Sequence, residues 1–291
     1  MAEQCMEAGK YEAPEQCAGA GKHGADERCA EAGKRAASER SANSELCVTA
    51  DQNNRRRISY DNEGVLVFSS KNYGIRKLCG AIFDLDGTLL DSLNVWRDVD
   101  LNFFKKVGKT PEKDIIKILQ PLTLDKAAEY IYSNYNVCSS PDEIAAIMLE
   151  MIEPQYYSFI QLKSGARDFL DLLKRHNVKM SIATATNMRL TEAVLKRTGI
   201  ISYFDAIISC SDIGTSKMFP EVYYQALKAI NIPISETLVF EDAYLAMKTL
   251  YNAKFSSAAI YDDVTKKQWE QIKELADIHI LSFDLLIDDL K

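Results

Sequence analysis

Two aspartates, Asp84 and Asp86, lie one residue apart in the segment AIFDLDGTLLDS, immediately after an apolar run. In an extended segment, side chains at positions i and i+2 point the same way, so both carboxylates can face one small volume. Like charges this close repel each other, and a metal ion or a phosphoryl group would give them a common partner. Gly87, which follows them, lets the chain turn tightly beside a ligand. The segment therefore predicts metal-assisted phosphoryl chemistry.

A hydroxyl follows the second apolar run, where the segment SIATATN places Thr184 at the end of the run. A hydroxyl with free backbone amides at the start of a helix makes a cradle for phosphate, to which Thr186 and Asn187 can add donors. Taken alone, Thr184 is more typical of an ordinary helix cap. Its position after a predicted strand connects it with the aspartate pair.

Charged side chains follow two further predicted strands. Lys217 lies in SKMFPEVY, where Pro220 suits the first turn of a helix and would hold the lysine at the mouth of a site. There the lysine would neutralise phosphate charge, although most lysines are simply solvated. Glu241 and Asp242 follow TLVF and, with the aspartate pair, supply the hard oxygen ligands that Mg²⁺ needs. Acids at a helix start equally suit the helix dipole.

These residues need a scaffold that brings the strand ends together. From about residue 78, short apolar segments alternate with helical patterns, and the strand candidates are LCGAIF, VKMSIAT, FDAIISC, TLVF, SSAAIY and IHIL. Strands separated by helices imply a parallel sheet covered on both faces, that is, an α/β fold with a Rossmann-like core. Ligands bind at the carboxyl ends of the strands in such sheets, so the polar residues there are expected to form one site.

One interval interrupts this alternation directly after the aspartate loop. Apolar residues recur at 95, 99 and 103, the segment PDEIAAIMLEMIEPQYY follows, and breaks fall at 111, 121 and 141. The pattern predicts a helical cap over residues 93–164, placed to act as a lid over the strand ends. The core is then expected to comprise residues 75–92 and 165–291.

The N-terminal segment has a different composition. EQCMEAGK, EQCAGAGK and ERCAEAGK recur every twelve residues, and Tyr11 is the only aromatic residue through Arg57. Such a segment cannot bury enough apolar surface to offset the entropy of ordering, so residues 1–57 are predicted to be a disordered low-complexity tail. Metal capture by Cys5, Cys17 and Cys29 is disfavoured because their spacing is far wider than that of zinc ligands.

Bulk composition excludes several classes of protein. The net charge of −7 argues against a general nucleic-acid binder, and no apolar run is long enough to predict a transmembrane helix or membrane association. The seven cysteines form no CxxC pair, as expected of free thiols in a reduced, cytoplasmic protein.

The four strand-end motifs together resemble those of the haloacid dehalogenase-like (HAD) hydrolase superfamily. They stand here as DLDGTLLDS, Thr184 in SIATAT, Lys217 in SKMFPEVY, and the acidic pair in LVFEDA. The predicted helical cap is similar to that of the subgroup containing β-phosphoglucomutase and phosphoglycolate phosphatase. Many relatives follow the acidic pair with serine and then glycine, where this chain has Ala243 and Ala246, a departure that bears on helix packing more than on metal binding.

The resemblance implies a role for each motif. Asp84 would attack phosphorus and form an aspartyl-phosphate, and Asp86 would act as general acid and then general base. Thr184 and Lys217 would hold the phosphate oxygens. Mg²⁺ would bind to the Asp84 carboxylate, the Asp86 backbone carbonyl and Asp242, with support from Glu241.

The resemblance also leaves the reaction open between two enzyme classes. Asp86 argues against a dehalogenase, which does not need a second acid. β-Phosphoglucomutase-like enzymes carry a histidine early in the cap, where this chain has Trp96, so a phosphatase acting on a small phosphorylated metabolite is favoured over a mutase. The cap also offers Arg97, Asp100 and Asn102, while most of the tyrosines at 130, 132, 135, 156 and 157 are expected in its core. A non-catalytic protein that binds a partner through the tail repeats is a further alternative.

Overall fold

The computed structural model describes residues 57–291. Within them, a small antiparallel sheet precedes the main sheet and is formed by β1 (Ile58–Tyr60), β2 (Leu66–Ser70) and β3 (Gly74–Lys77). The sequence did not predict this sheet, because β3 is exposed throughout and carries no apolar run. The predicted tail, residues 1–57, lies outside the described residues except for Arg57, as do Cys5, Cys17 and Cys29.

The main sheet has six parallel strands: β4 (Gly80–Phe83), β5 (Lys179–Thr184), β6 (Ala206–Ser209), β7 (Thr237–Glu241), β8 (Ser256–Ile260) and β9 (Ile278–Ile280). Their order across the sheet is β6-β5-β4-β7-β8-β9, which confirms the predicted Rossmann-like core. The strands are largely apolar and mostly buried, which suits a sheet that is covered on both faces.

Between β4 and β5 the chain forms a run of helices, as the periodicity predicts. We call this run the inserted helices; they are α1 (Leu93–Lys106), α2 (Ile115–Leu119), α3 (Leu124–Tyr135), α4 (Pro141–Pro154) and a π-helix (Gln155–Phe159). Thr123 and Ser140 cap α3 and α4, because their hydroxyls accept hydrogen bonds from the backbone amides of Lys126 and Glu143.

The remaining helices accompany the strands of the main sheet. They are α5 (Ala166–Arg175), α6 (Met188–Arg197), α7 (Glu221–Ile230), α8 (Tyr244–Asn252), α9 (Trp269–Leu275) and α10 (Phe283–Asp289). Pro220 is the N-cap residue of α7. It therefore lies one position before the first turn of the helix, whereas the sequence predicted it within that turn. Helix α8 forms with Ala243 as its N-cap residue and with Ala246 fully buried, so these alanines are compatible with its packing.

The small sheet is tied to the main sheet by polar contacts. The Ser70 hydroxyl lies 2.7 Å from that of Ser256, and the backbone amide of Lys71 donates to the Asp277 carboxylate. Elsewhere in residues 57–291, Cys79, Cys138 and Cys210 are free thiols, as predicted. No helix of this part of the chain is long and apolar enough to cross a membrane.

Candidate active site

Strand register sets the base of the site. Phe83 and Phe240 are paired across β4 and β7, their rings stack with centroids 4.5 Å apart, and the residues that follow them emerge side by side. The Asp84 amide donates to the Phe240 carbonyl at 3.0 Å, which holds Asp84 beside Glu241 and Asp242. One carboxylate oxygen from each of these three residues lies within 4.8 Å of the others, and all three are buried.

Lys217 provides positive charge within this acidic cluster. Its ammonium group donates to the carboxylates of both Asp84 and Glu241, and its side chain is 5% exposed. Burial alone lowers the pKa of Lys217, but the two carboxylates outweigh burial and raise the pKa above its ordinary value. The lysine therefore remains charged, and one cation faces three carboxylates.

The excess of negative charge favours a further cation. Burial raises the pKa of Asp84 to about 7, Lys217 opposes this shift, and the charges of Glu241 and Asp86 add to it. Burial, with the charges of Glu241 and Asp84, also raises the pKa of Asp242. Oδ2 of Asp84 is buried and has no hydrogen-bond partner among the described residues. An unpartnered oxygen in a buried set of hard oxygen donors fits Mg²⁺.

Glu241 is more fully engaged than its neighbours. Its Oε1 accepts hydrogen bonds from Lys217 and from the Tyr223 hydroxyl, the latter at 3.0 Å. Its Oε2 accepts from the backbone amides of Asp242 and Ala243, at 2.9 and 3.0 Å. Glu241 thereby positions Lys217 and the start of the loop that carries Asp242.

The second aspartate of the motif has a different environment. The Asp86 carboxylate accepts hydrogen bonds from the hydroxyls of Ser92 and Thr186, each at 2.7 Å, and from the Tyr156 hydroxyl at 2.5 Å. Tyr156 in turn accepts a hydrogen bond from the Trp96 indole at 2.8 Å. Asp86 is thus surrounded by hydroxyls, whereas Asp84 is paired with a lysine.

Thr184 lies at the end of β5, as predicted, but its side chain is fully buried. Its hydroxyl accepts a hydrogen bond from the Thr186 backbone amide at 3.1 Å. Among the described residues, Thr186 and Asn187 line the pocket above the aspartates and Thr184 does not. The Thr184 hydroxyl therefore shapes the loop, and Thr186 and Asn187, two and three residues further on, face the pocket.

The inserted helices contact the strand ends directly. The Gln120 side-chain amide donates to Oδ2 of Asp242 at 3.2 Å, and Tyr156 reaches Asp86 from the π-helix. Gly87 allows the aspartate loop to pack closely against Asp242, because a Cβ at this position would lie 2.7 Å from Oδ2 of Asp242. These contacts close a pocket of about 90 Å³ over the aspartates.

Sequence reasoning missed several of these contacts. Gln120 belongs to no motif, and Tyr223, although it ends the segment SKMFPEVY, was not singled out because nothing in its spacing connects it with the acidic pair. The expectation that most cap tyrosines are core holds for Tyr156, which is fully buried, and for Tyr130 and Tyr135, which pack against the same apolar cluster. Tyr132 and Tyr157 are exposed, and Tyr156 also bonds to Asp86. The only sequence signal for Tyr156 was its position near the end of the predicted cap.

The fold and these groups define an α/β protein with a candidate phosphoryl-transfer site, and comparison with known proteins gives its family. Residues 81–260 match the family model of the haloacid dehalogenase-like hydrolases, and this range includes Asp84, Asp86, Lys217 and Asp242. The match covers more than half of the chain, and the protein belongs to this family.

Curated relatives with sequence similarity to this chain include phosphatases. Validoxylamine A 7'-phosphate phosphatase of Streptomyces hygroscopicus subsp. limoneus is 26% identical over 210 residues, covering 66% of this chain and 97% of the relative. Hexitol phosphatase B of Escherichia coli (strain K12) is 23% identical over 192 residues, covering 64% and 84% of the two chains. Family membership and these relatives indicate a phosphoric monoester hydrolase.

Solved structures share the fold. A β-phosphoglucomutase from Clostridium difficile aligns with a TM-score of 0.62 at 19% identity, covering 72% of this chain and 93% of that chain. CbbY from Rhodobacter sphaeroides, solved in complex with phosphate, aligns with a TM-score of 0.61 at 20% identity, covering 71% and 95%.

Proposed function

We propose that this protein is a Mg²⁺-dependent phosphatase that hydrolyses a small phosphorylated metabolite through an aspartyl-phosphate on Asp84. The observation that carries the proposal is the different environment of the two aspartates that line one pocket. Asp84 lies beside a lysine with one carboxylate oxygen unpartnered, and Asp86 lies within a shell of hydroxyls. A nucleophile and a general acid/base need these two different settings.

In the first step, a carboxylate oxygen of Asp84 forms a bond to phosphorus as the bond from phosphorus to the leaving oxygen breaks. Lys217 neutralises charge on the phosphoryl oxygens, and Thr184 orients the loop whose Thr186 and Asn187 face the pocket. Asp86 donates a proton to the leaving oxygen.

In the second step, Asp86 takes a proton from water as the water attacks phosphorus, and the bond to Asp84 breaks. The hydroxyls of Ser92 and Thr186 can each donate or accept a hydrogen bond, so they can accompany Asp86 in both protonation states. Burial and the charge of Asp86 raise the pKa of Tyr156, which therefore keeps its proton as a donor.

The residues that would hold Mg²⁺ are Asp84, Asp242 and the backbone carbonyl of Asp86, with Glu241 in support. When bound, the cation offsets the repulsion between these carboxylates and the phosphate dianion, which otherwise makes attack by Asp84 unfavourable. The acidic cluster and the unpartnered Asp84 oxygen support this assignment.

The proposal is tested by measuring phosphate release from a panel of phosphorylated metabolites, with Mg²⁺ and with EDTA. Hexitol phosphates and phosphoglycolate belong in the panel, and β-glucose 1-phosphate is also assayed for conversion to glucose 6-phosphate. We expect Mg²⁺-dependent phosphate release. Isomerisation without release would instead establish the mutase, and metal-independent release would overturn the magnesium assignment.

We expect the substrate to be a cytoplasmic metabolite, with neither nucleic acid nor membrane as a partner. If the full chain releases no phosphate from any substrate, the alternative role of the N-terminal repeats in binding a partner gains support. Comparing the full chain with one that starts at residue 57 in a pull-down experiment would test that role.

A further inference from the structure

The wall that the inserted helices contribute to the pocket is predominantly apolar. It includes Trp96, Leu119, Leu122, Leu124 and Met148, which face the space above the aspartates. If this pocket binds a phosphate ester, as the proposed function requires, these side chains surround the leaving group. They suit hydrocarbon and offer no partners to a ring of hydroxyls.

The polar groups on this wall, among the described residues, are Arg97, Asp100 and Gln120. Gln120 is engaged within the protein, because it donates to Asp242 at 3.2 Å. Arg97 pairs with its neighbour Asp98 at 3.1 Å, and this pair is solvent-exposed. Asp100 is therefore the buried polar group of this wall that is available to a ligand.

Asp100 has an unusual position for a carboxylate. It belongs to α1, is 7% exposed, and lines the pocket. It has neither a hydrogen-bond nor an ion-pair partner in residues 57–291. Burial raises the pKa of its carboxyl to about 7, with no neighbouring charge contributing. The carboxylate is largely removed from solvent and reaches it only through the pocket, so a ligand that donates to it there compensates for its lost hydration.

We propose that Asp100 is a specificity-determining residue, and that the leaving group is a compact, largely hydrocarbon alcohol with one hydrogen-bond donor that binds to Asp100. The donor is a hydroxyl or an ammonium group, and an ammonium group forms the stronger pair because its charge is opposite to that of the carboxylate. The inference rests on the proposed function and specifies its substrate class.

The same geometry discriminates against polyols. A phosphorylated sugar alcohol would bury several hydroxyls against leucine, methionine and tryptophan side chains, and Asp100 could pair with only one or two of them. Buried hydroxyls without partners weaken binding. We therefore expect this protein to prefer a different substrate from a hexitol phosphatase, although the two chains share a fold.

The test uses ligands of nearly constant chain length and measures binding without turnover. Asp84→Asn protein is titrated by calorimetry at pH 8 with four monophosphates: 5-aminopentyl, 5-hydroxypentyl, hexyl and xylitol 5-phosphate. We expect the aminopentyl ester to bind at least about 10-fold more tightly than the hexyl ester, with the hydroxypentyl ester between them. Xylitol 5-phosphate should bind at least about 10-fold more weakly than the hydroxypentyl ester, because its extra hydroxyls lack partners.

Asp100 is tested by adding Asp100→Asn to the same background. The preference for aminopentyl over hexyl phosphate should fall to within about 2-fold, because an amide has no charge to pair with ammonium. Asp125→Asn, which changes an exposed carboxylate in the first turn of α3, is the matched control and should keep the full preference.

The ligand series tests the inference even if the Asp100 variant does not fold. Equal binding of the aminopentyl, hydroxypentyl and hexyl esters, or tightest binding of xylitol 5-phosphate, would overturn the inference. An unchanged preference in Asp100→Asn would overturn the role of Asp100. If the donor preference is present but the unmutated protein releases no phosphate from these esters or from the metabolite panel, the proposed phosphatase fails while the recognition by Asp100 stands.

Discussion

The hydroxyl of Tyr156 lies 2.5 Å from Oδ1 of Asp86 and joins the π-helix after α4 to the second aspartate of the DLDGT loop. The carbonyl of Tyr156 also accepts a hydrogen bond from Arg197 of α6, at 3.0 Å. Tyr156 is thus held from both sides, and it connects the inserted helices with the residue that we assign as acid and base.

This contact makes Tyr156 a positioning residue for proton transfer. We expect Tyr156→Phe to lower kcat by about 10- to 100-fold, with a smaller change in KM, because Asp86 loses a donor and an orienting contact. Steady-state kinetics across pH would measure this effect, and the pH profile of kcat should change. Tyr157→Phe is the matched control, because Tyr157 is exposed. A kcat and pH profile equal to those of the unmutated protein would contradict the assignment.

Asp84→Asn should abolish turnover, with a loss of at least about 10³-fold, because an amide cannot act as the nucleophile. The fold should persist, since Lys217 keeps its pair with Glu241 and one like charge leaves the acidic cluster. Phosphate release and circular dichroism measure the two effects. Asp91→Asn, an exposed neighbour, serves as the control. Near-normal activity in the Asp84 variant would exclude it as the nucleophile.

Mg²⁺ should stabilise the protein as well as activate it. Binding to the folded state alone adds about 2.7 kcal/mol to the free energy of unfolding when the metal is at 100 times its Kd. We expect both Tm and activity to rise with added Mg²⁺. Both should return to their starting values when EDTA is added. Asp242→Asn should lose the rise in Tm, while the exposed Asp212→Asn should keep it. An equal rise in both variants would place the metal elsewhere.

Gly87 tests how closely the aspartate loop must pack. Its φ is +88°, and a Cβ there would lie 2.7 Å from both Oδ2 of Asp242 and Cγ of Leu93. Gly108 has φ +68° but no heavy atom within 4 Å of its would-be Cβ. Gly108→Ala should therefore show only the backbone effect, about 1 kcal/mol in the free energy of unfolding.

Gly87→Ala should be more destabilising than Gly108→Ala and should also reduce activity at least about 10-fold, because it displaces Asp242. Chemical denaturation and phosphate release would compare the two variants. Equal losses of stability with activity intact in both would show that the close approach at Gly87 has no functional consequence.

The buried carboxyl of Asp100 predicts a pH dependence of stability. Burial raises its pKa to about 7 in the folded protein, so the folded state favours the protonated form. Stability then falls as pH rises from the unfolded pKa near 4 to the folded pKa near 7, and the penalty is complete above it. Asp100→Asn removes the penalty, and its stabilising effect should be about 2–3 kcal/mol larger at pH 8 than at pH 5.

Thermal or urea unfolding at the two pH values measures this difference. Asp98→Asn, on the same helix but exposed, should show no comparable pH dependence. If the effect of Asp100→Asn is the same at pH 5 and pH 8, the carboxyl titrates in the ordinary range and is not held in an apolar setting.

The sequence by itself determined the parallel core and the main acidic residues of the site. Alternating apolar strands and helices predict a parallel sheet, and such a sheet brings its carboxyl ends to one edge wherever the strands fall in the chain. Asp84 and Asp242 are separated by more than 150 residues, yet their positions after predicted strands sufficed to group them. The small sheet of β1 to β3 escaped prediction because β3 is exposed throughout and so carries no apolar run to mark it as a strand.

Only the tertiary structure decided which side chains complete the site. Tyr156, Gln120 and Tyr223 come to the aspartates through the packing of helices, and helical periodicity shows which face is apolar but not what that face meets. Thr184 shows the same limit: its position after a strand was predictable, but the direction of its hydroxyl was not. Whether Asp100 has a partner likewise depends on every element packed around it, so its isolation could be seen only in the folded chain.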